Sequence, residues 1–146
     1  MIMRFLPLAL GLVLAACNPG HHGAQVPGDS TSNQPWHGIA ETETVRFVGT
    51  EPFWGGEAKG DTLTYTTPGK PEGTRIAVRR FAGRNGLSFS GTLDGHAFDL
   101  SITPGACSDG MSDRHFPFVV TLLVGGETRR GCAWSDAHGF TGPDKP

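Results

Sequence analysis

The stretch LSFSGTLDGHAFDLSI, from Leu87 to Ile102, carries the clearest structural pattern in the chain. Its centre, Asp94-Gly95, is typical of a two-residue type I′ turn, in which both residues need a positive φ. Pairing the residues around that turn gives four opposed pairs: Leu93 with His96, Gly91 with Phe98, Phe89 with Leu100, and Leu87 with Ile102. The apolar residues then share one face, and a slip of one residue would expose them all to water. We predict a hairpin in this register, in which an aromatic ring covers Gly91 from across the ladder.

The same alternation of apolar and polar residues recurs through the chain, with turn signals between the alternating segments. Apolar residues occupy every second position in four further segments: Val45 and Phe47; Leu63 and Tyr65; Ile76 and Val78; and Phe118, Val120, Leu122 and Val124. No stretch sustains a helical period. We therefore predict an all-β fold in residues 42–134, a small antiparallel meander barrel or sandwich of about eight strands, lipocalin-like or lysozyme-inhibitor-like.

Two features of the predicted barrel follow from its size and its last hairpin. Side chains just fill the interior of an eight-stranded barrel, or leave room for one small ligand, and we expect little or no cavity here. The register of the last hairpin stays open, because either choice places Arg129 or Arg130 beside apolar residues.

The N-terminus has the three regions of an export signal. A basic start, Met1 to Arg4, precedes an apolar run, Phe5 to Ala16, that is too short to span a bilayer as a mature helix. The run ends in Leu14-Ala15-Ala16-Cys17, which resembles the lipobox of bacterial lipoproteins. That resemblance implies a signal peptide in residues 1–16 and a diacylglyceryl group on Cys17; the alternative is an ordinary secretory signal with a chance cysteine.

The predicted lipid would hold the mature chain on a membrane, because two or more acyl chains give stable anchoring. In enteric bacteria, an aspartate directly after the lipidated cysteine resembles an inner-membrane retention signal. This chain has Asn18 at that position, so we expect the outer membrane, with the domain facing the periplasm. Residues 17–41 and 135–146 are polar and rich in Gly and Pro, which predicts a flexible tether before the domain and a flexible tail after it. Trp36 and His37 fall within the predicted tether.

The cysteines predict one disulfide bond. With Cys17 taken by lipid, Cys107 and Cys132 remain, and an exported protein folds in an oxidising compartment. A bond between them would stabilise a small domain by about 3.5 kcal/mol in the chain-entropy model. The alternative is a pair of free, reactive thiols.

The stretch ACSDGMSDRHFPF, residues 106–118, has three interpretations. Ser108, Ser112, Asp113 and His115 carry the atoms of a hydrolytic triad, but no nucleophile elbow or oxyanion-hole motif accompanies them. Asp109, Asp113 and His115 could bind a cation, but their spacing misses the calcium-loop pattern. We therefore predict neither a metal site nor a cofactor and favour a structural corner.

The corner interpretation accounts for more of these residues. Ser108 or Asp109 would cap one helical turn over Met111 to Arg114. Met111 and Phe116 would close the end of the barrel, and Arg114 would pair with Asp109 or Asp113. The disulfide would then fix this corner to the last strand.

Several motifs together point to a family. GTEPFW (Gly49 to Trp54), GDTLTY (Gly60 to Tyr65) and CSDGMSD (Cys107 to Asp113), followed by Phe-Pro and a late Gly-Cys, resemble an uncharacterised family of small bacterial envelope lipoproteins. The resemblance covers nearly the whole domain and implies its fold and its location rather than an activity. The chain departs from the family pattern at Asp113, where glycine is common, and at Phe116, where tyrosine is expected.

The motifs also suggest a binding surface. An outward Trp54 beside Glu51 would be a plausible contact point, because aromatic anchors dominate binding energy. Together with Asp109, Asp113 and Arg114 they form the candidate surface. The alternative is that Trp54 belongs to the core and Glu51 pairs with a nearby arginine.

Charge and motifs favour a non-enzymatic function. Without the predicted signal and its Arg4, 11 Lys and Arg face 14 Asp and Glu with no basic tract, which disfavours nucleic-acid binding. We expect a lipid-anchored binding or inhibitor module whose partner is an envelope protein or a cell-wall component. The alternatives are an envelope hydrolase that uses Asp109, Asp113 and His115, and a purely structural envelope component. Inhibitors of lysozyme-type enzymes are similar small barrels, by analogy alone.

Overall fold

The computed structural model describes residues 34–143, so the predicted signal peptide, Cys17 and most of the predicted tether lie outside the described residues. The strands are β1 Val45–Thr50, β2 Phe53–Lys59, β3 Thr62–Thr67, β4 Lys70–Ala82, β5 Leu87–Leu93, β6 His96–Cys107, β7 Phe116–Val124 and β8 Glu127–Ser135. Each strand is antiparallel to the next, and β8 pairs with β1, so the sheet closes into a barrel in chain order. The predicted all-β class, strand number and meander order are confirmed.

The hairpin of β5 and β6 has the predicted register. Leu87 lies opposite Ile102 at one end and Leu93 opposite His96 at the other. Asp94 and Gly95 both have positive φ, 51° and 79°, as a type I′ turn requires. The turn residues and the apolar alternation therefore fix the pairing together.

Gly91 lies opposite Phe98 across the ladder, as predicted. A Cβ at this position would also lie 2.6 Å from the carbonyl oxygen of Ala77 and 3.0 Å from a methyl group of Ile76, both on β4. The close approach of this neighbouring strand is a further reason for a glycine here.

The barrel interior is packed with the apolar side chains of alternate strand positions. One core cluster contains Ile39, Val45, Phe47, Trp54, Ala58, Leu63, Tyr65, Ile76, Val78, Leu87, Phe89, Phe98, Leu100, Ile102, Phe118, Val120, Leu122 and Ala133. The four predicted alternating segments supply much of it. Each Å² of apolar surface that is buried contributes about 25 cal/mol, so the burial of this many apolar side chains is the main force that holds the fold together.

Trp54 fits into the core because two glycines make room for it. A Cβ at Gly49, directly opposite on β1, would overlap the indole nitrogen. A Cβ at Gly131 on β8 would lie 3.0 Å from the indole Cζ2 and would overlap the carbonyl oxygen of Val48. The first and last residues of the GTEPFW motif are thus one packing unit.

The last hairpin takes the register that turns Arg129 inward and Arg130 outward. Arg129 lies opposite Leu122, where its guanidinium donates to the hydroxyl of Tyr65 at 3.0 Å and to Glu127 at 2.8 Å. The Glu127 carboxylate and Tyr65 raise the pKa of Arg129 against the opposing effect of burial. A paired arginine therefore stands at one end of the barrel core.

The folded domain begins earlier than residue 42. Ile39 is fully buried, and Trp36 meets Phe118 edge-on with ring centroids 6.0 Å apart. The backbone N–H of Trp36 donates to the carbonyl of Gly83 at 2.7 Å. Arg80 donates to the carbonyl of Ile39 at 2.7 Å. The last part of the predicted tether is therefore part of the domain.

The described part of the predicted tail also packs on the barrel. Phe140 lies between Phe116 and Trp134, with centroids 5.6 Å from each. His115 and Thr141 exchange backbone hydrogen bonds of 2.9 Å. The prediction of a flexible tail is therefore wrong for residues 135–143. A single aromatic ring, that of Phe140, helps to hold this segment on the barrel although its sequence shows no periodicity.

A polar clasp, formed by Glu43, Thr44, Ser135 and Asp136, ties the two ends of the domain together. The Glu43 carboxylate accepts from the Ser135 hydroxyl at 2.7 Å and from the Ala137 N–H at 3.1 Å. Asp136 accepts from the Thr44 N–H at 2.9 Å. The hydrogen bond from Ser135, with those from Ala40 and Ala137, holds the pKa of Glu43 below its ordinary value of 4.5.

We expect the clasp to make the domain sensitive to acid. Because the pKa of Glu43 is lower in the folded chain than in the unfolded one, its contribution is present above about pH 4.5 and is lost as the pH falls through the folded-state pKa. Glu43→Gln should therefore lower the free energy of unfolding by on the order of 1 kcal/mol at pH 7 and flatten its decline in acid. Urea unfolding from pH 7 to pH 3 measures both effects.

Glu41→Gln is the matched control for this prediction, because Glu41 is an exposed neighbour that takes no part in the clasp. It should change the free energy of unfolding by less than about 0.5 kcal/mol. Equal effects of the two variants at every pH would contradict the role assigned to Glu43.

Candidate functional site

The disulfide fixes residues 107–115, here called the corner loop, on the outside of the barrel. Cys107 and Cys132 are bonded, with their Cα atoms 5.6 Å apart, as predicted. Gly131 and Ala133 face the barrel interior, so Cys132 between them lies on the outer face of β8. Its side chain is nevertheless buried. The Thr50 hydroxyl donates to the carbonyl of Asp109 at 3.2 Å. The loop therefore covers part of the outer wall formed by β8 and β1.

Asp109 organises the loop without a helix. Its carboxylate accepts from the N–H groups of Met111 and Ser112 at 3.0 and 2.8 Å and from the Ser112 hydroxyl at 2.7 Å. Burial raises the pKa of Asp109, but these hydrogen bonds and the charge of Arg114 outweigh it, so the pKa is lowered. The loop forms bends, and not the helical turn predicted over Met111 to Arg114, because it turns back towards β7 within a few residues.

The second half of the corner loop contacts the tail segment rather than the barrel interior. Arg114 donates to the carbonyl of Pro143 at 2.9 Å, and its guanidinium carbon lies 4.5 Å from the centroid of the Phe140 ring. Met111 is 65% exposed, and Phe116 lies outside the main core cluster. The expectation that Met111 and Phe116 close the barrel end is therefore wrong; Trp36 and Ile39 pack against the core from the N-terminal side.

The loop does not assemble a proton relay. All the hydrogen bonds of the Asp109 carboxylate go to Met111 and Ser112. In residues 34–143, no hydrogen bond joins His115 to Asp109 or Asp113. Within the same residues, no three His, Cys, Asp or Glu side chains come together as a metal would require.

Glu51 and Trp54 are separated by the turn between β1 and β2. Glu51 and Pro52, joined by a cis peptide bond, form that turn, so they do not provide the extended start of a strand. Trp54 is only 4% exposed, as the core alternative predicted, whereas Phe53 points outward and is 53% exposed. Glu51 is exposed and makes no ion pair in the described part of the chain.

The five residues of the predicted surface therefore do not form one site. The Thr50 hydrogen bond places the turn of Glu51 close to Asp109. Asp113 and Arg114 lie instead against the tail segment, where a Cβ at Gly142 would come 3.1 Å from the Cα of Arg114. Trp54 belongs to the barrel core and is therefore not the exposed anchor that was predicted.

A shallow groove of about 580 Å³ lies on the outer wall. It crosses β8, β1, β2 and β3, and we call it the outer groove. Its lining consists of Arg46, Phe47, Val48, Phe53, Trp54, Gly55, Gly56, Glu57, Thr64, Thr66, Thr67, Pro68, Pro71 and Trp134. Its volume lies within the range of about 300–1,000 Å³ that is usual for small-ligand sites.

The groove exists because a glycine interrupts the outer face of the sheet. Gly55 lies between Val48 on β1 and Thr66 on β3, and it adds no side chain between them. The exposed ring of Phe53 and the half-buried ring of Trp134 rise beside this floor. Pro68 in the β3–β4 turn and Pro71 near the start of β4 border it.

Charge at the groove is concentrated in one ion-pair network. The guanidinium of Arg46 lies 2.8 Å from Asp136 and 3.8 Å from Glu57. The Arg46 hydrogen bond and that from the Thr44 N–H lower the pKa of Asp136. An apolar groove with a fixed cation and carboxylate at its edge can orient a ligand as well as bury it.

Sequence reasoning missed the groove. Consecutive residues of a strand point to opposite faces, so one of the neighbouring rings of Phe53 and Trp54 has to face outward, and this is the one sequence signal for the groove. Trp134, Pro68 and Pro71 are distant in sequence from Phe53 and meet it only through the pairing of β2 with β3 and the closing pair of β1 with β8.

No family model, curated protein or solved structure matches the chain. Within residues 34–143, no helix has the length and apolarity that a bilayer-spanning segment requires.

Proposed function

We propose that the protein is a lipid-anchored binding or inhibitor module of the bacterial envelope, which binds a segment of another envelope protein in the outer groove. The observation that carries this proposal is the groove itself, an exposed aromatic cavity on a barrel whose interior is packed with side chains. A ligand then has its binding surface outside the barrel.

The groove has the chemistry of a protein contact. Aromatic residues and arginine are enriched at the centres of protein interfaces, and a few such residues carry most of the binding energy. Phe53, Trp134 and Arg46 provide these groups within one groove. Arg46 is held in place by its two carboxylate partners, so a partner need not order it on binding.

The location follows from the N-terminal motif. Leu14-Ala15-Ala16-Cys17 favours acylation of Cys17, and Asn18 favours the outer membrane. The disulfide supports an oxidising compartment such as the periplasm. A domain tethered in this way would meet soluble or membrane-bound proteins of the envelope.

Phe53→Ala is expected to weaken capture of the partner. The detergent-solubilised full chain is used to capture cross-linked envelope proteins, and the affinity for the captured protein is then measured. Loss of this exposed ring from the lining of the groove should raise the Kd about tenfold or more. Inhibition of a lysozyme is measured in parallel, because small barrels with that activity provide the closest analogy.

Phe81→Ala is the matched control, since Phe81 is an equally large exposed ring on another strand, β4. It should leave the Kd unchanged. Failure to capture any protein at micromolar concentration, or equal affinities for wild type and Phe53→Ala, would count against the proposal.

A further inference from the structure

A row of outward side chains on β4 forms a second exposed surface, which borders the outer groove at Thr64. Arg75, Arg79 and Phe81 alternate with the buried Ile76 and Val78, so all three point away from the barrel interior. Phe81 is 64% exposed, more than the ring of the groove. We call Arg75, Arg79 and Phe81 the β4 patch.

The strands beside β4 leave this patch open. Ser88 lies opposite Phe81, Ser90 lies opposite Arg79, and Thr64 lies opposite Arg75. These short side chains reach less far from the sheet than arginine or phenylalanine. The patch therefore protrudes and can contact a flat surface.

Arg75 and Arg79 give the patch two positive charges, and no ion pair within the described domain neutralises them. Within residues 34–143, neither Arg75 nor Arg79 makes an ion pair. Three acidic residues border the recesses beside these arginines: Glu41, Glu57 and Asp61. Glu41 is paired with Arg80 at 3.5 Å, and Glu57 lies 3.8 Å from an arginine of β1.

The chain leaves the described domain next to the patch. The N–H of Trp36 is bonded to the carbonyl of Gly83, two residues after Phe81. Gln34, the first described residue, is 17 positions after Cys17. A membrane anchor at Cys17 would therefore act on the domain at a point close to Phe81, which is one end of the β4 patch.

We propose that the β4 patch rests on anionic phospholipid headgroups of the membrane that holds the anchor. This inference depends on the acylation of Cys17 in the proposed function. Arg75 and Arg79 match the charge of the headgroups, and the Phe81 ring enters the interfacial layer. The contact sets the orientation of the domain, and the outer groove, on β8 and β1 to β3, remains available to a partner.

Vesicle sedimentation of the mature chain, residues 17–146, carrying Cys17→Ser tests the contact without the contribution of the lipid or of the apolar signal peptide. The vesicles contain phosphatidylglycerol and phosphatidylcholine, or phosphatidylcholine alone. We expect binding only to the anionic vesicles, weaker at high salt, and reduced about fivefold by Arg79→Ser. Phe81→Ser should weaken it by a similar factor.

Arg130→Ser and Phe53→Ser are the controls, because both residues are exposed but lie on strands other than β4. They should leave vesicle binding unchanged. Absence of binding up to millimolar lipid, equal binding to neutral vesicles, or equal losses in patch and control variants would overturn the inference. Mass spectrometry of Cys17 and partner capture in detergent test the proposed function separately, since neither readout depends on the β4 patch.

Discussion

Trp54→Ala is expected to lower the free energy of unfolding by about 3–5 kcal/mol, the usual cost of removing a buried tryptophan. Trp54 packs between Phe47 and Tyr65, with ring centroids 5.9 and 6.4 Å away, and fills the space that Gly49 and Gly131 leave. Since small domains are stable by only about 5–15 kcal/mol, chemical denaturation should show a large shift of the midpoint.

Trp54→Phe separates the packing role from a polar one. Within the described residues the indole Nε1 is buried without a hydrogen-bond partner, and burying such a donor costs about 1–3 kcal/mol. Phenylalanine removes that donor and keeps most of the ring, so this variant should lose less than half of what alanine loses. A Trp54→Ala protein of unchanged stability that fails to capture a partner would show instead that Trp54 is a contact residue.

The double variant Cys107→Ser/Cys132→Ser should lose about 3.5 kcal/mol, because the disulfide closes a loop across 25 positions of the chain in the unfolded state. The corner loop would also lose its covalent attachment to the outer wall, and the Thr50–Asp109 hydrogen bond alone would hold that side of it. Urea unfolding measures the first effect, and the rate of proteolysis within residues 108–115 measures the second.

A reducing agent provides the control for this prediction. It should bring the wild-type protein to the stability of the double variant and should leave the double variant unchanged. A wild-type protein whose unfolding does not respond to reduction would contradict the stabilising role of the bond.

The parts of the fold that the sequence predicts are those set by neighbours in the chain. The β5–β6 hairpin follows from Asp94-Gly95 and from an alternation that only one register satisfies. The disulfide follows from the number of cysteines and the export signal. In both cases a local pattern leaves few alternatives, so no knowledge of distant contacts is needed.

The parts that the sequence does not predict depend on distant contacts. Trp36 and Phe140 are single aromatic residues in segments rich in Gly and polar residues, and no period shows that they pack on Phe118 and Phe116. The outer groove requires β8 to lie beside β1, which is a property of barrel closure. Whether Trp54 or Phe53 turns inward depends on the space inside the barrel. Gly49 and Gly131 provide that space for Trp54, and they lie on other strands.

The closing pair of β1 and β8 has a further consequence for chain connectivity. Val45 lies directly opposite Ser135, so the beginning and the end of the strand order are adjacent. A linker between the packed segments that flank these two strands could join them, and the solvent-exposed Asp94-Gly95 turn could supply new termini. The barrel is therefore a candidate for circular permutation, since the order of strands around it would be the same wherever the chain is cut.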